Sequence, residues 1–185
     1  MINDVYEEMR ESTDKSLEAF KRELAKTRTG RANPTILDGI RVDYYGTPTP
    51  INQMATVSVP ENRLIVIAPW DQTQVDAIDK AIQKANLDVN PVNDGKVIRL
   101  AFPTLTEDRR KDIVKQIKKM AEEARVSIRM HRRDANDMVK ALEKDGDVTE
   151  DQAHKAGDQI QKIHDEFIKK IDEIAEAKEK EVMEI

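Results

Sequence analysis

The sequence predicts an α+β protein in which a long three-helix bundle carries a small β/α/β domain inserted between its first and second helices. Three segments repeat apolar residues at spacings of three and four, which is the period of an amphipathic helix. Residues 31–103 instead show short runs rich in Val, Ile and Tyr, separated by Pro, Gly and Asn. Such runs indicate short strands and turns.

The first helical segment covers the start of the chain. One predicted face is formed by residues spaced three or four apart: Ile2, Tyr6, Met9, Thr13, Ser16 or Leu17, Phe20, Leu24 and Thr27. Gly30 suits the position just past a helix end, where a left-handed backbone is common.

The second helical segment is the longest, because its apolar pattern keeps a near-strict heptad. The predicted face contains Ile113, Ile117, Met120, Ala124, Ser127 or Ile128, His131, Ala135, Met138, and Ala141 or Leu142. Thr104 and Glu107 have the spacing of a capping box, and Gly146 provides an end. A helix over about 106–145 would be roughly 60 Å long.

The third segment begins at Thr149, with Gln152 three residues later as its capping-box partner. Its predicted apolar face contains Ala153, Ala156, Ile160, Ile163, Phe167, Ile171 and Ile174. Residues 145–147 form a short connection, so we expect the second and third helices to be antiparallel neighbours.

The intervening region predicts a small domain with one helix among strands. The predicted strands are 36–45, 55–59, 63–69 and 96–102, and the predicted helix is 72–85. Residues 46–50, Gly-Thr-Pro-Thr-Pro, are interpreted as a turn, and Trp70 is expected to pack against its surroundings.

An isolated amphipathic N-terminal helix cannot bury its apolar face, whereas the two C-terminal helices leave room for a third. We therefore predict a bundle domain made of 1–30 and 104–185 and an inserted domain at 31–103. The chain must cross between them near 29–31 and 103–106, where a hinge is expected. The hinge residues are Thr29, Gly30, Arg31, Pro103, Thr104 and Leu105.

Composition points to a cytosolic protein with an uneven charge distribution. There is no cysteine, no basic and apolar leader at the N-terminus, and no run of about 20 apolar residues that could cross a membrane. The net charge is −5, yet residues 109–133 contain ten Lys or Arg against three acids, and residues 145–185 contain thirteen acids against six lysines. The basic part is the candidate binding region.

The candidate binding residues lie on the second long helix, in a row that follows the helical period: Lys111, Lys115, Lys118, Arg125, Arg129 and Arg132. The row is centred some 130° from the apolar face, so it should face solvent, where arginine can bind phosphate with two donors. A solvated helix face without a ligand would show the same stripe, and both interpretations stay open at this point.

An active site is not indicated. His131 occupies an apolar heptad position, and His154 and His164 lack a metal-ligand spacing or a cysteine partner. No phosphate-binding loop or Gly-x-Ser-x-Gly motif is present. We therefore expect a protein that is not an enzyme and holds no cofactor or metal.

Two stretches carry a resemblance to a known family. Residues 26–34 (KTRTGRANP), 37–40 (LDGI) and 44–50 (YYGTPTP) form the first, and residues 105–111 (LTEDRRK) and 124–137 (ARVSIRMHRRDAND) form the second. These motifs resemble the signatures of the ribosome recycling factor family, and the similarity covers the entire chain.

The resemblance implies an L-shaped molecule with the outline of a transfer RNA, whose domains are joined by a flexible hinge. It implies that the protein, with elongation factor G and the GTP that this partner hydrolyses, dissociates the post-termination ribosome into subunits and releases it from messenger RNA. The expected partners are the ribosome, its large-subunit RNA and elongation factor G, with no membrane or DNA partner, and a monomer is expected.

The family's RNA-contacting arginines correspond to Arg132 foremost, followed by Arg129, Arg133, Arg110, Arg28 and Arg31. Before the resemblance is considered, Arg28 fits equally well a favourable position at a helix C-terminus, and Arg31 a solvated side chain. The alternative function is a helical protein-interaction or chaperone-like module whose basic stripe meets an acidic partner.

Overall fold

The computed structural model describes residues 1–27, 29–87 and 89–184. The chain divides into two compact units, one formed by Met1–Thr29 with Thr106–Glu184 and the other by Gly30–Leu105. The predicted boundaries lay one or two residues away, at 30/31 and 103/104. We refer to the first as the bundle unit and to the second as the inserted unit.

The described residues form four α-helices: α1 (Ile2–Lys26), α2 (Val75–Lys84), α3 (Glu107–Lys144) and α4 (Glu150–Met183). Helices α1, α3 and α4 make up the bundle unit, and their predicted presence and type are confirmed. With 38 residues, α3 is about 57 Å long.

The bundle core contains one buried face from each helix. From α1 it takes Val5, Met9, Thr13, Leu17, Phe20 and Leu24; from α3 Ile113, Ile117, Ala121, Ala124, Ile128, Ala135 and Val139; and from α4 Ala156, Ile160, Ile163, Phe167, Ile171, Ala175 and Val182. Thr13 is buried, and its hydroxyl group is satisfied because Oγ1 donates to the carbonyl oxygens of Met9 and Arg10 at 2.8 and 2.9 Å.

Side-chain pairs show the helix directions. Arg125 pairs with Asp172 and Arg132 with Gln161, so position numbers fall along α4 as they rise along α3, and the two helices are antiparallel as predicted. Arg10 pairs with Glu166, and Thr29 with Glu181 farther along both segments, so α1 runs parallel to α4.

The helix ends follow local capping rules with one correction. Thr149 and Gln152 form the predicted capping box of α4. For α3, however, the predicted cap at Thr104 is wrong: Thr106 is the N-cap, and its side chain accepts a hydrogen bond from the backbone N–H of Arg109 at 3.2 Å. At the end of α1, Gly30 lies four residues past Lys26 and therefore does not occupy the predicted C′ position.

The inserted unit contains two antiparallel sheets. Strands β1 (Arg41–Tyr44) and β2 (Thr47–Pro50) form a hairpin, and β3 (Ala55–Glu61), β4 (Leu64–Pro69), β5 (Pro91–Asn93) and β6 (Ile98–Ala101) form a sheet in the order β3-β4-β6-β5. Its core contains the buried face of α2, namely Val75, Ile78 and Ile82, packed with buried residues of the two central strands, such as Ile65 and Ile67 of β4.

Four details of the inserted unit differ from the sequence predictions. The strand predicted at 36–45 begins only at Arg41, because Pro34–Leu37 form a 3₁₀ helix that Asn33 caps. Residues 47–50 of the predicted turn form β2, because Tyr45 and Gly46 adopt φ values of 50° and 83° and close the hairpin in two residues. Strand β5 was not predicted. Trp70, expected to pack, is 67% exposed, and its Nε1 donates to Thr56 Oγ1 at 2.9 Å.

Candidate nucleic-acid interface

The basic row of α3 lies on the surface of the bundle unit. Three of its members, Arg125, Arg129 and Arg132, fall within nine residues together with the neighbouring Arg133. Their Cα positions share a side of the helix because residues three, four and seven apart point in similar directions. We call these four residues the arginine cluster. Each of its members has a different environment, and this difference decides which one can bind an external phosphate.

Arg125 is held by two carboxylates. Its Nη2 lies 2.7 Å from Asp172 Oδ1 of α4, its Nε donates to the same oxygen at 2.9 Å, and its Nη1 donates to Glu122 at 3.2 Å. The hydrogen bond to Asp172 is the main cause that raises the pKa of Arg125. Arg125 was predicted to contact RNA; in this arrangement its charge is matched by two half-exposed carboxylates on the surface of the bundle unit.

Arg129 shares the same acid. Its Nη2 donates to Glu122 Oε1 at 2.5 Å, and its side chain is 45% exposed. The hydrogen bonds from Arg129 first and Arg125 second lower the pKa of Glu122, so this carboxylate stays charged at neutral pH. An RNA phosphate would have to compete with Glu122 for this guanidinium.

Arg132 has a neutral partner. Its Nη1 donates to the amide oxygen of Gln161 on α4 at 3.0 Å, and within the described residues it has no ion pair. A guanidinium has five N–H donors, so one hydrogen bond to an amide leaves the charge and most donors available. Arg132 is thus held by a neutral group and not by a direct ion pair. The pKa of Asp165 is lowered mainly by its hydrogen bond from His164 and least by the charge of Arg132, so this carboxylate acts on Arg132 only from beyond ion-pair distance.

Arg133 is exposed and borders a shallow concavity of about 530 Å³ together with Arg129, Arg132 and Lys140. Two apolar side chains, Val126 and Met130, lie in the same concavity and are 42% and 59% exposed. Asp137 also lines it and lies 3.7 Å from Lys140 Nζ, so the three arginines are the cationic groups left for a polyanion whose sugars or bases can meet the apolar surface.

The remaining predicted RNA-binding residues do not join the arginine cluster. Arg110 lies 22 positions before Arg132, about 33 Å along α3, and its Nη1 donates to the carbonyl oxygen of Met183 at 3.4 Å. Its Nε is buried, without a partner among the described residues. Arg31 is an exposed residue of the inserted unit, and Arg28 lies outside the described residues.

At the two places where the chain passes from one unit to the other, the residues on either side are held by contacts within their own unit. In the bundle unit, Thr29 is buried and its Oγ1 donates to Glu181 Oε1 of α4 at 2.9 Å. In the inserted unit, Gly30 has φ +82°, and a Cβ added there would lie 3.0 Å from Leu105 Cγ. Arg63 donates to the hydroxyl of Thr104 in the same unit, and Pro103 is exposed.

Each of the three histidines lies close to one side-chain partner. His154 is exposed, and its Nδ1 lies 3.6 Å from Asp158 Oδ2. The ring Nε2 of His131 lies 2.9 Å from Ser16 Oγ of α1, and the Nδ1 of His164 lies 2.9 Å from Asp165 Oδ1. In the part of the chain that the structure describes, no group of three or more His, Cys, Asp or Glu residues is arranged to hold a metal ion. No helix among the described residues has the length and apolar character needed to cross a membrane.

Sequence reasoning missed the α4 side of this surface. Asp172 and Gln161, which hold Arg125 and Arg132, belong to an acidic and polar helix that carried no motif of its own. Their roles depend on the alignment of α3 with α4, and the sequence predicts that the helices are antiparallel without giving their relative shift.

Comparison with known proteins gives concordant matches over the whole chain. Residues 20–183 match the family model described as ribosome recycling factor. The chain is 55% identical over 184 residues to the ribosome-recycling factor of Desulfatibacillum aliphaticivorans and 50% identical over 185 residues to that of Bacillus velezensis, and each match covers 100% of both chains.

Two solved structures are also similar. A solution structure of a ribosome recycling factor has a TM-score of 0.79 and 42% identity, and the match covers 100% of this chain and 98% of the other. The second, with a TM-score of 0.66, 46% identity and 98% coverage of both chains, belongs to models of the T. thermophilus ribosome recycling factor and the E. coli elongation factor G bound to the E. coli post-termination complex.

Proposed function

The chain belongs to the ribosome recycling factor family, and on that premise we propose that it binds the post-termination ribosome and, with elongation factor G and GTP, promotes its dissociation into subunits and its release from messenger RNA. The related factor described with elongation factor G on a post-termination complex supports these partners. GTP hydrolysis belongs to elongation factor G in this proposal, and the chain itself acts in the cytoplasm without a cofactor.

The observation that supports the binding site is the environment of Arg132. It projects from a 38-residue helix, it is oriented by a hydrogen bond, and its hydrogen-bond partner Gln161 carries no charge. We propose that Arg132 makes the principal contact with a phosphate of large-subunit ribosomal RNA, with Arg133 and Arg129 beside it. Arg125 then supports this surface through its ion pairs with Asp172 and Glu122, and Arg110 and Arg31 contribute at separate places.

We further propose that the two crossings of the chain act as the hinge. Thr29 is fixed to α4 of the bundle unit, whereas the next residue, Gly30, already belongs to the inserted unit. Rotation can therefore concentrate between these two residues and at the second crossing between Leu105 and Thr106. Elongation factor G would move the inserted unit while the bundle unit stays anchored on RNA.

A general protein-interaction or chaperone-like role is not favoured. The family match spans residues 20–183, and the relatives match over their full length. Salt dependence separates the two functions, because phosphate contacts release counterions and lose affinity steeply with salt, whereas an apolar protein contact does not.

The test is ribosome binding by an Arg132→Ala variant across a salt series. We expect at least about tenfold weaker binding. The slope of log affinity against log salt should fall by about 0.9, the value for one lost phosphate contact. The melting temperature should stay that of the unmodified protein. Arg22→Ala, which removes an exposed arginine from α1, is the matched control and should bind normally. Unchanged binding of Arg132→Ala would refute the site.

A further inference from the structure

Arg132 differs from its neighbours in the chemistry that holds it. Arg125 and Arg129 are oriented by carboxylates, which match their charge. Arg132 is oriented by the amide oxygen of Gln161, which accepts a hydrogen bond but carries no net charge. A mobile arginine side chain loses conformational entropy when a ligand orders it. A guanidinium that is already oriented in the free protein loses less entropy on binding, so its affinity for the ligand is higher.

The orientation of Gln161 is itself determined by a neighbour. Its Nε2 donates to Asp165 Oδ1 at 2.8 Å, one turn farther along α4. A charged carboxylate can only accept hydrogen bonds, so the amide must turn its NH₂ group towards Asp165. This leaves the amide oxygen facing Arg132, which can only donate. Asp165 thus selects the one amide orientation that supports Arg132.

Asp165 is in turn anchored to the bundle through His164. The Nδ1–H of His164 donates to Asp165 Oδ1 at 2.9 Å, and the His164 side chain is only 12% exposed. This hydrogen bond is the main cause that lowers the pKa of Asp165, so Asp165 is a carboxylate at neutral pH. The chain of contacts therefore runs from the bundle through Asp165 and Gln161 to the guanidinium of Arg132.

We infer that Gln161 and Asp165 are positioning residues, which orient the Arg132 guanidinium towards an RNA phosphate through a neutral amide and not through a direct ion pair. This inference rests on the proposed function, since it assumes that Arg132 meets a phosphate. It adds two residues of α4 to a site otherwise built from α3.

A double-mutant cycle on ribosome binding tests the inference. Gln161→Ala should weaken binding about 3- to 10-fold, which is the range expected when an arginine must be immobilised on binding. Its salt slope should stay at the value of the unmodified protein, because Arg132 keeps its charge. In an Arg132→Ala background, Gln161→Ala should have no further effect beyond about twofold. A residue that merely stabilised the bundle would weaken binding equally in both backgrounds.

Asp165→Asn provides a second variant. Asparagine can donate as well as accept, so the Gln161 amide is no longer held in one orientation. Asp165→Asn also removes a negative charge that interacts with Arg132, and this loss by itself favours an anion. In a Gln161→Ala background only this charge effect remains, so Asp165→Asn should strengthen binding there, and in the otherwise unmodified protein it should strengthen binding less or weaken it. Equal effects in the two backgrounds would refute the positioning role of Asp165. Gln159→Ala is the matched control, because residue 159 lies two positions before Gln161 and points to the opposite side of α4.

The outcomes separate the inference from the proposed function. If Arg132→Ala weakens binding and Gln161→Ala does not, the positioning role is wrong while the phosphate site stands. Additive losses in the cycle, or a lowered melting temperature that accounts for the loss, likewise refute positioning. If Arg132→Ala itself binds ribosomes normally, both the phosphate site at Arg132 and the positioning role of Gln161 are refuted.

Discussion

The Nη2 atom of Arg129 lies 2.5 Å from Oε1 of Glu122, so the arginine cluster contains its own carboxylate. Glu122 also accepts from Arg125, and it occupies the position that a phosphate would take between two guanidinium groups. We predict that Glu122→Gln strengthens binding to ribosomes and to unspecific RNA by a factor of about 2 to 5, the range of a surface ion pair. Filter binding at several salt concentrations measures this change in affinity.

The control for this change is Glu123→Gln. Glu123 is the adjacent exposed acid, and its nearest ion-pair partner is Lys119 at 4.0 Å, outside the arginine cluster. Both variants gain one unit of positive charge, so a difference between them reports the local competition at Arg129. Equal effects of the two variants would show that net charge alone is responsible.

Gly30 provides a prediction at the chain crossing. Its φ of +82° disfavours any residue with a Cβ, at a cost of about 1–2 kcal/mol, and an added Cβ would also meet Leu105 Cγ at 3.0 Å. Gly30→Ala should therefore destabilise the inserted unit by at least that amount. Measured in a Leu105→Ala background, the cost should shrink but not vanish, because only the steric part is relieved.

Urea unfolding measures both costs, and Gly39→Ala is the control. Gly39 has no positive φ, and an added Cβ has nothing within 4 Å, so its substitution should change the free energy of unfolding by no more than about 0.5 kcal/mol. If Gly30→Ala is equally harmless, the left-handed backbone at this crossing is not required.

Asp94 gives a pH-dependent prediction for the inserted unit. Its Oδ1 accepts from the backbone N–H groups of Lys96 and Val97, each at 2.9 Å, and Arg99 Nη1 donates to its Oδ2 at 2.6 Å. These bonds, with Val97 the largest cause, hold the pKa of Asp94 well below its usual 3.8. Because the folded pKa is lowered, the stabilisation is complete above the unfolded value and is lost as pH falls towards the folded one.

Asp94→Asn should accordingly lower the melting temperature of the inserted unit at neutral pH, and the gap to the unmodified protein should narrow below about pH 4. Thermal melts from neutral to acidic pH measure the gap. Asp38→Asn, at an exposed aspartate, should show a smaller gap throughout. If the difference in melting temperature between Asp94→Asn and the unmodified protein stayed constant as the pH fell, the destabilisation would come from the changed shape of the side chain and not from its lost charge.

The helices of the bundle unit could be predicted from the sequence because their signals are local. The heptads locate α3 and α4, and the Thr149–Gln152 capping box begins α4 as predicted. Local signals failed where two candidates compete: both Thr104 and Thr106 precede Glu107, and only Thr106 caps α3. Strand β5 was missed because three residues are too few to show alternation.

The arginine cluster could be predicted only in part, for a different physical reason. The helical period placed Arg125, Arg129 and Arg132 on one side, but it treated them as equivalent. Their difference comes from α4, where Asp172 meets Arg125 and Gln161 meets Arg132. Which residues meet across two helices depends on the shift between them, and that shift is determined by packing of the whole core.

The final prediction concerns the separate roles of the two units. Replacing residues 30–105 with a short flexible linker should leave a folded, helical bundle, because the buried residues of α1, α3 and α4 all belong to the bundle unit. This variant should still bind ribosomes through the arginine cluster and compete with the full chain. It should not split post-termination ribosomes in the presence of elongation factor G and GTP, since the unit that the partner moves is missing.

Circular dichroism, ribosome co-sedimentation and subunit separation on sucrose gradients check these three expectations in turn. The full-length Arg132→Ala variant is the complementary control, because it keeps the inserted unit but loses the anchor. Failure of the shortened chain to fold would show that the boundaries at Thr29/Gly30 and Leu105/Thr106 do not delimit an independent unit. Retained splitting would show that anchoring alone is sufficient, and the proposed role of the hinge would then be wrong.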